Sequence, residues 1–121
     1  NHSQYAAITK AVLSPISFIQ GPPGTGKTLT CGHLVNVILA LLDSLNNKDS
    51  IIFVAAYTHK AINQILRQIR NIIIQCDYNA DIILRLGDPE KCPKELRKFC
   101  LDYRLHCNAR PENEMRHILR R

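Results

Sequence analysis

A glycine-rich stretch that follows an apolar segment and precedes an amphipathic one contains residues suited to phosphate chemistry. It fits the pattern G-x-x-x-x-G-K-[ST], in which glycines let the backbone turn several N–H groups toward one point. Such a nest of N–H groups binds a polyphosphate, so we interpret the stretch as the phosphate-binding loop of a nucleotide site. The residues assigned to bind the nucleotide are Gly21, Pro22, Pro23, Gly24, Thr25, Gly26, Lys27 and Thr28.

Two side chains at the end of this loop are the catalytic candidates. Lys27 is expected to place its ammonium group at the β and γ phosphates, and Thr28 is expected to offer its hydroxyl to Mg²⁺. A helix that begins near Lys27 would add the positive end of its dipole. The chemistry predicted here is therefore the binding of a nucleoside triphosphate with Mg²⁺.

The size and charge of the chain suggest one domain with a basic surface. Its 121 residues carry 16 Lys and Arg against 10 Asp and Glu, a formal net charge of +6. This excess suits a polyanionic partner, and a solvated basic surface explains it equally well. The chain begins at Asn1 without a methionine and stops in a basic run, so we interpret it as a fragment.

Several features of the sequence predict a soluble intracellular protein, in the cytoplasm or the nucleus. No stretch of 18 apolar residues is present, and the first ten residues lack the layout of a signal peptide. No membrane association is therefore expected. The five cysteines form no C-x-x-C pair, which favours a reducing compartment.

Apolar segments alternate with amphipathic ones along most of the chain. The predicted strands are Ile16–Ile19, Ile51–Ala56 and Ile82–Leu86, and a helix is predicted from Thr28 to about Leu45. Another amphipathic helix should follow residues 57–60. This order predicts an α/β fold of the P-loop NTPase type, a parallel sheet flanked by helices, with its ligands at the carboxyl ends of the strands.

The pattern weakens after Gly87. Short helices are predicted at Lys94–Leu101 and Glu112–Arg121, and we divide the chain into the front of the nucleotide-binding domain at residues 1–87 and a helical continuation or insertion at residues 88–121. The separations among Cys92, Cys100 and Cys107 match no standard zinc spacing.

Three stretches together resemble superfamily 1 helicases, in the branch of the nonsense-mediated-decay RNA helicase and senataxin. They are the loop Gly21–Thr28 with Phe18-Ile19-Gln20 before it, the opening Asn1-His2-Ser3-Gln4, and the segment Ala56–Ile65. The opening is similar to the Q motif of these helicases. The segment Ala56–Ile65 is similar to their motif Ia.

This resemblance implies a RecA-like domain that binds ATP. It implies that Gln4 reads the adenine edge, for which a carboxamide has the matching donor and acceptor; a polar helix residue in solvent is the alternative. It also implies that Thr58, His59 and Lys60 contact a nucleic-acid backbone, although Thr58 is equally suited to capping a helix. His59 stands where Asn or Ser is more usual in the family.

The resulting functional hypothesis is an ATP-dependent helicase or translocase on single-stranded nucleic acid. RNA is favoured over DNA because the opening motif most resembles the decay helicase, and protein regulators are left open. No carboxylate for Mg²⁺ and no group to position water can be identified, so the fragment alone should bind nucleotide, hydrolyse it poorly and unwind nothing. The alternative is a P-loop switch module that binds nucleotide without moving along a strand.

Overall fold

A computed structural model describes residues 1–107 of the chain. These residues belong to two compact units, one formed by Asn1–Tyr78 and the other beginning at Asn79. The domain boundary predicted at Gly87 stays a prediction. The helix predicted at Glu112–Arg121 lies outside the described residues.

Three helices build the first unit: α1 at His2–Leu13, α2 at Lys27–Ser44 and α3 at His59–Gln75. α1 begins where the side chain of Asn1 accepts a hydrogen bond from the backbone N–H of Ser3 at 3.0 Å. It ends at Ser14, which has extended backbone angles because the residue before a proline disfavours the helical conformation. α2 begins one residue before the predicted start.

The core of the first unit lies between α2 and α3. One face of α3 is buried, as its apolar periodicity predicts, but this buried face also includes the polar residue Asn63, which was expected to point outward. Gly32 allows the close approach of α2, since a Cβ atom there would lie 2.6 Å from Cδ1 of Ile72. The apolar residues that the two helices bury are Val35, Leu66, Ile69, Ile72 and Ile73.

The three predicted strands are not formed within residues 1–107. In the first unit, the segments 16–19 and 51–56 have no strand pairing, and Phe18 and Ile51 are 93% and 89% exposed. In the second unit, a single parallel bridge joins Arg85 to Cys100. A strand is stabilised by hydrogen bonds to neighbouring strands, and an apolar parallel strand also needs cover on both faces. The segments 16–19 and 51–56 lack such hydrogen bonds and segment 82–86 has only the bridge at Arg85, so the parallel sheet is not observed among the described residues.

The second unit consists of short helical turns around a small core. Its 3₁₀ helices span Ala80–Ile82, Pro89–Lys91 and Lys94–Phe99, and residues 101–107 are helical. The helix predicted at Lys94–Leu101 is thus a 3₁₀ helix over most of its length, interrupted at Cys100 before the chain continues. The fully buried residues are Leu96, Phe99 and Cys100.

Two thiols belong to this core. Cys92 and Cys100 are buried, and the guanidinium of Arg85, itself buried, lies with Nη1 3.9 Å from Sγ of Cys100. Burial, followed by the hydrogen bond with Cys100, raises the pKa of the Cys92 thiol from 9.0 to about 11. All five cysteines of the chain are free thiols.

Replacing Ile73 by alanine should destabilise the first unit by about 2 to 5 kcal/mol, because its buried side chain would leave a cavity between the helices. Ile74→Ala provides a matched control: Ile73 is 0% exposed and Ile74 is 50% exposed. Urea unfolding of both variants measures the difference. Equal losses of stability would contradict the packing described for α3.

The Cys92 thiol should make the stability of the second unit depend on alkaline pH. The folded thiol keeps its proton up to about pH 11, whereas the unfolded thiol loses it near 9.0, so its contribution is complete below 9.0 and declines as pH rises through 11. Urea midpoints between pH 8 and 11 measure this slope. The dependence of the urea midpoint on pH should be weaker in Cys92→Ala and unchanged in Cys76→Ala, since Cys76 is exposed. An identical dependence in both variants would exclude the assignment to Cys92.

Candidate nucleotide-binding site

The phosphate loop has the backbone conformation for which its glycines were expected. Gly24 and Gly26 have φ angles of +78° and +82°, in the left-handed region that side chains with a Cβ atom disfavour. Gly26 is also the N-cap residue of α2. The loop therefore leads directly into the N-terminus of a helix of 18 residues.

The ammonium group of Lys27 is held by its own loop. Its Nζ donates to the carbonyl oxygens of Gly21 at 2.6 Å and Pro22 at 2.7 Å. The hydroxyl of Thr25 also donates to the Pro22 carbonyl, at 2.8 Å. An ammonium has three donors, so Lys27 keeps one N–H for a further acceptor while it stabilises the turn.

Thr30 secures the end of the loop from inside the first turn of α2. Both its backbone N–H and its hydroxyl donate to the carbonyl oxygen of Gly26 at 2.9 Å, and the residue is buried. The backbone bond is the regular helical bond. The hydroxyl adds a second donor to the same oxygen.

The backbone amides of the loop behave differently from its carbonyls. Within residues 1–107, the N–H groups of residues 24–28 donate to no protein acceptor. They lie at the positive end of the α2 dipole, where a phosphate group is favoured. The loop thus fits a polyphosphate: the carbonyls of Gly21, Pro22, Thr25 and Gly26 are bonded to protein donors, and the amides of residues 24–28 are available.

Gln4 reaches the loop from α1. Its Nε2 donates to the carbonyl oxygen of Thr25 at 3.0 Å, across 21 positions in sequence, and the side chain is partly exposed. This contact shows that the carboxamide is not isolated in solvent, which was the alternative considered for Gln4. Adenine recognition itself stays a prediction.

Thr58 caps α3, which confirms one of the two roles considered for it. Its side chain accepts a hydrogen bond from the backbone N–H of Ala61 at 3.1 Å. His59 and Lys60 are exposed at the start of the same helix. The predicted contact of these three residues with nucleic acid is untested.

Thr28 is partly exposed at the beginning of α2, where it could hold Mg²⁺ through its hydroxyl. Among the described residues, no group of three His, Cys, Asp or Glu side chains could hold a metal ion.

Two features of the site were missed by the sequence analysis. The hydroxyl of Thr30 was not recognised, although a threonine four positions after a loop residue can bond back to its carbonyl. The bond from Gln4 to Thr25 has no local signal, because the two residues are far apart in sequence.

A family model described as an AAA domain matches residues 1–121. The chain belongs to this family. The predicted resemblance to superfamily 1 helicases is also confirmed, because the relatives that match include two proteins named as ATP-dependent helicases and a regulator of nonsense transcripts. No solved structure gives a significant match.

Three of these relatives illustrate the range. The chain is 34% identical over 102 residues to the DNA replication ATP-dependent helicase/nuclease dna2 of Schizosaccharomyces pombe, which is 84% of this chain and 6% of that protein. It is 35% identical over 69 residues to the ATP-dependent helicase upf1 of the same yeast, 57% of this chain and 8% of that protein. It is 41% identical over 69 residues to a regulator of nonsense transcripts 1 homolog of Neurospora crassa, 57% of this chain and 6% of that protein.

This chain thus spans less than a tenth of the length of each of these three relatives. None of its described helices is both long enough and apolar enough to cross a membrane.

Gly26→Ala should weaken nucleotide binding more than Gly24→Ala. Both positions have positive φ and would strain an alanine, but a Cβ at Gly26 would also lie 2.5 Å from Nε2 of Gln4, whereas a Cβ at Gly24 meets nothing within 4 Å. Calorimetric titration with ATP measures both affinities. Equal losses would mean that the contact with Gln4 has no influence on the loop.

Proposed function

We propose that this chain is the ATP-binding part of an ATP-dependent helicase or translocase that acts on single-stranded nucleic acid. The observation that carries the proposal is the phosphate loop, in which Lys27 holds the carbonyls of Gly21 and Pro22 while the amides of residues 24–28 face no protein acceptor. We place the parent protein in the cytoplasm or the nucleus and favour RNA over DNA as the strand.

The relatives support the reaction class and leave the polymer open. Two of them are named ATP-dependent helicases, and one of these two is named for DNA replication. A third is named for nonsense transcripts. The preference for RNA therefore rests on the resemblance of the opening motif Asn1–Gln4 to that of the decay helicase.

We propose that the apolar segments 16–19, 51–56 and 82–86 form parallel strands of a RecA-like sheet in the parent protein. Phe18, Ile51 and Phe53 are largely exposed in the described structure although their sequence is typical of buried strands. Strands from other parts of a longer chain would supply the missing hydrogen bonds. The small share of each relative that this chain covers is consistent with such additional strands.

The loop residues would bind and orient the triphosphate. The amides of residues 24–28 and the third N–H of Lys27 would neutralise phosphate oxygens, and the hydroxyl of Thr28 would hold Mg²⁺. When bound, ATP with Mg²⁺ supplies a phosphoanhydride bond whose cleavage can drive movement along a strand. No carboxylate of residues 1–107 is assigned to the metal, so the hydrolytic groups would come from elsewhere in the parent protein.

The start of α3 is the proposed contact with the strand. Thr58 can cap the helix through a lone pair of its hydroxyl and still donate the hydroxyl proton to a phosphate oxygen, and Lys60 adds an exposed ammonium beside it. Contacts of this type bind the phosphate backbone and carry no base sequence information. They would let the enzyme act on strands of any sequence.

ATP turnover by the full-length parent protein, with and without single-stranded RNA or DNA, tests this function. We expect either polymer to stimulate turnover, with the larger effect from RNA, and we expect the stimulation to decline as salt rises because phosphate contacts release counterions. Lys27→Ala should abolish productive ATP binding, whereas Lys48→Ala, an exposed lysine after α2, should leave it unchanged.

The two parts of the proposal fail in different ways. Normal ATP binding by Lys27→Ala would exclude the assigned loop. Lys27-dependent turnover that no strand stimulates would instead favour the nucleotide switch. Greater stimulation by DNA would reverse the choice of polymer.

A further inference from the structure

The carboxamide of Gln4 lies against the peptide group that joins Thr25 to Gly26. Its Nε2 is 3.0 Å from the carbonyl oxygen of Thr25, and it would lie 2.5 Å from a Cβ atom built on Gly26. Because one amide contacts both residues, it meets the peptide at the point where the loop enters α2. The rest of α1 has no buried residue, so this hydrogen bond is a specific link between the helix and the loop.

The orientation of this peptide decides which of its groups faces a bound anion. In a trans peptide the carbonyl and the N–H point in opposite directions, and the described part of the chain contains no cis peptide bond. With the Thr25 carbonyl directed at Gln4, the N–H of Gly26 points away from α1. If the peptide turned over, the carbonyl oxygen would take the place of that N–H and repel phosphate.

Glycine makes such a turnover possible. Gly26 has a φ of +82°, and a residue without Cβ can adopt both positive and negative φ at little cost. The carbonyl on the other side of Gly26 is fixed by the two bonds from Thr30. The Thr25 carbonyl has one bond from a side chain, and Gln4 supplies it.

We propose that Gln4 is a positioning residue for the phosphate loop: by holding the Thr25 carbonyl, it keeps the N–H of Gly26 directed at the phosphate chain. This inference rests on the proposed nucleotide site and assigns Gln4 a role that is independent of the base. It also predicts that the loop is prepared for the phosphate before the nucleotide arrives.

The same side chain can serve the base at the same time. A carboxamide has two N–H donors and an oxygen acceptor, and the bond to Thr25 uses one donor. The second N–H and the oxygen remain, which match the N7 acceptor and the N6 donor of adenine. Gln4 would then connect recognition of adenine to the conformation of the loop.

Inorganic tripolyphosphate separates these two roles because it has no base. The test compares the full 121-residue chain with Gln4→Met, which keeps the length of the side chain and adds no charge, and with Gln4→Ala as a second neutral variant. Each is titrated calorimetrically with tripolyphosphate and with ATP. Gln75→Met, at the exposed end of α3, is the matched control.

We expect both Gln4 variants to bind tripolyphosphate roughly two- to tenfold more weakly, the range that corresponds to one hydrogen bond of about 0.5 to 1.5 kcal/mol. ATP should be weakened at least as much. The thermal midpoint should stay within the range of the control variant, since the bond is exposed to solvent; a large decrease in that midpoint for both variants would show a structural role and overturn the proposal.

Other results would also overturn it. Unchanged tripolyphosphate affinity with weakened ATP binding would restrict Gln4 to the base. A parent chain that binds ATP but not tripolyphosphate would show that the loop is not prepared in advance. If Lys27→Ala binds ATP normally, the nucleotide site itself is wrongly assigned. The ATP affinity of Lys27→Ala is therefore measured first, and the Gln4 variants are compared only if it is reduced.

Discussion

The separation of hydrogen-bonding roles along one short loop organises the first unit. The carbonyls of Gly21 and Pro22 accept from Lys27, the carbonyl of Thr25 accepts from Gln4, and that of Gly26 accepts twice from Thr30. The amides of the same turn remain available. Buried or constrained polar groups are costly to leave unpaired, so this arrangement stabilises the loop without using the groups that an anion needs.

That loop can hold its shape only if α2 is fixed, and α2 is fixed by α3. The absence of a side chain at Gly32 lets the helices approach closely. Near the other end of α2, the Asp43 carboxylate raises the pKa of the phenol of Tyr78, the second residue after the C-cap of α3. The close packing at Gly32 is therefore the contact that fixes the beginning of α2.

Sequence reasoning succeeded where the signal is local. Two features were predicted correctly: the positive φ angles at Gly24 and Gly26, and the buried face of α3. Both depend on residue types that lie within a few positions of one another in the sequence. Sequence reasoning failed where the outcome depends on distant partners. The segment 51–56 has the composition of a buried strand but no neighbours to pair with, and the contact of Gln4 with Thr25 joins residues that no periodicity connects.

The segment Ile51–Ala56 has a consequence for the biosynthesis of any protein that contains it. Its six residues include no charge and no proline, they favour β structure, and Ile51 and Phe53 are 89% and 80% exposed. Short segments of this kind stack with copies of themselves into cross-β aggregates when they stay in water. A ribosome releases this segment before any strand encoded later, so during that interval the segment lacks those strands as pairing partners.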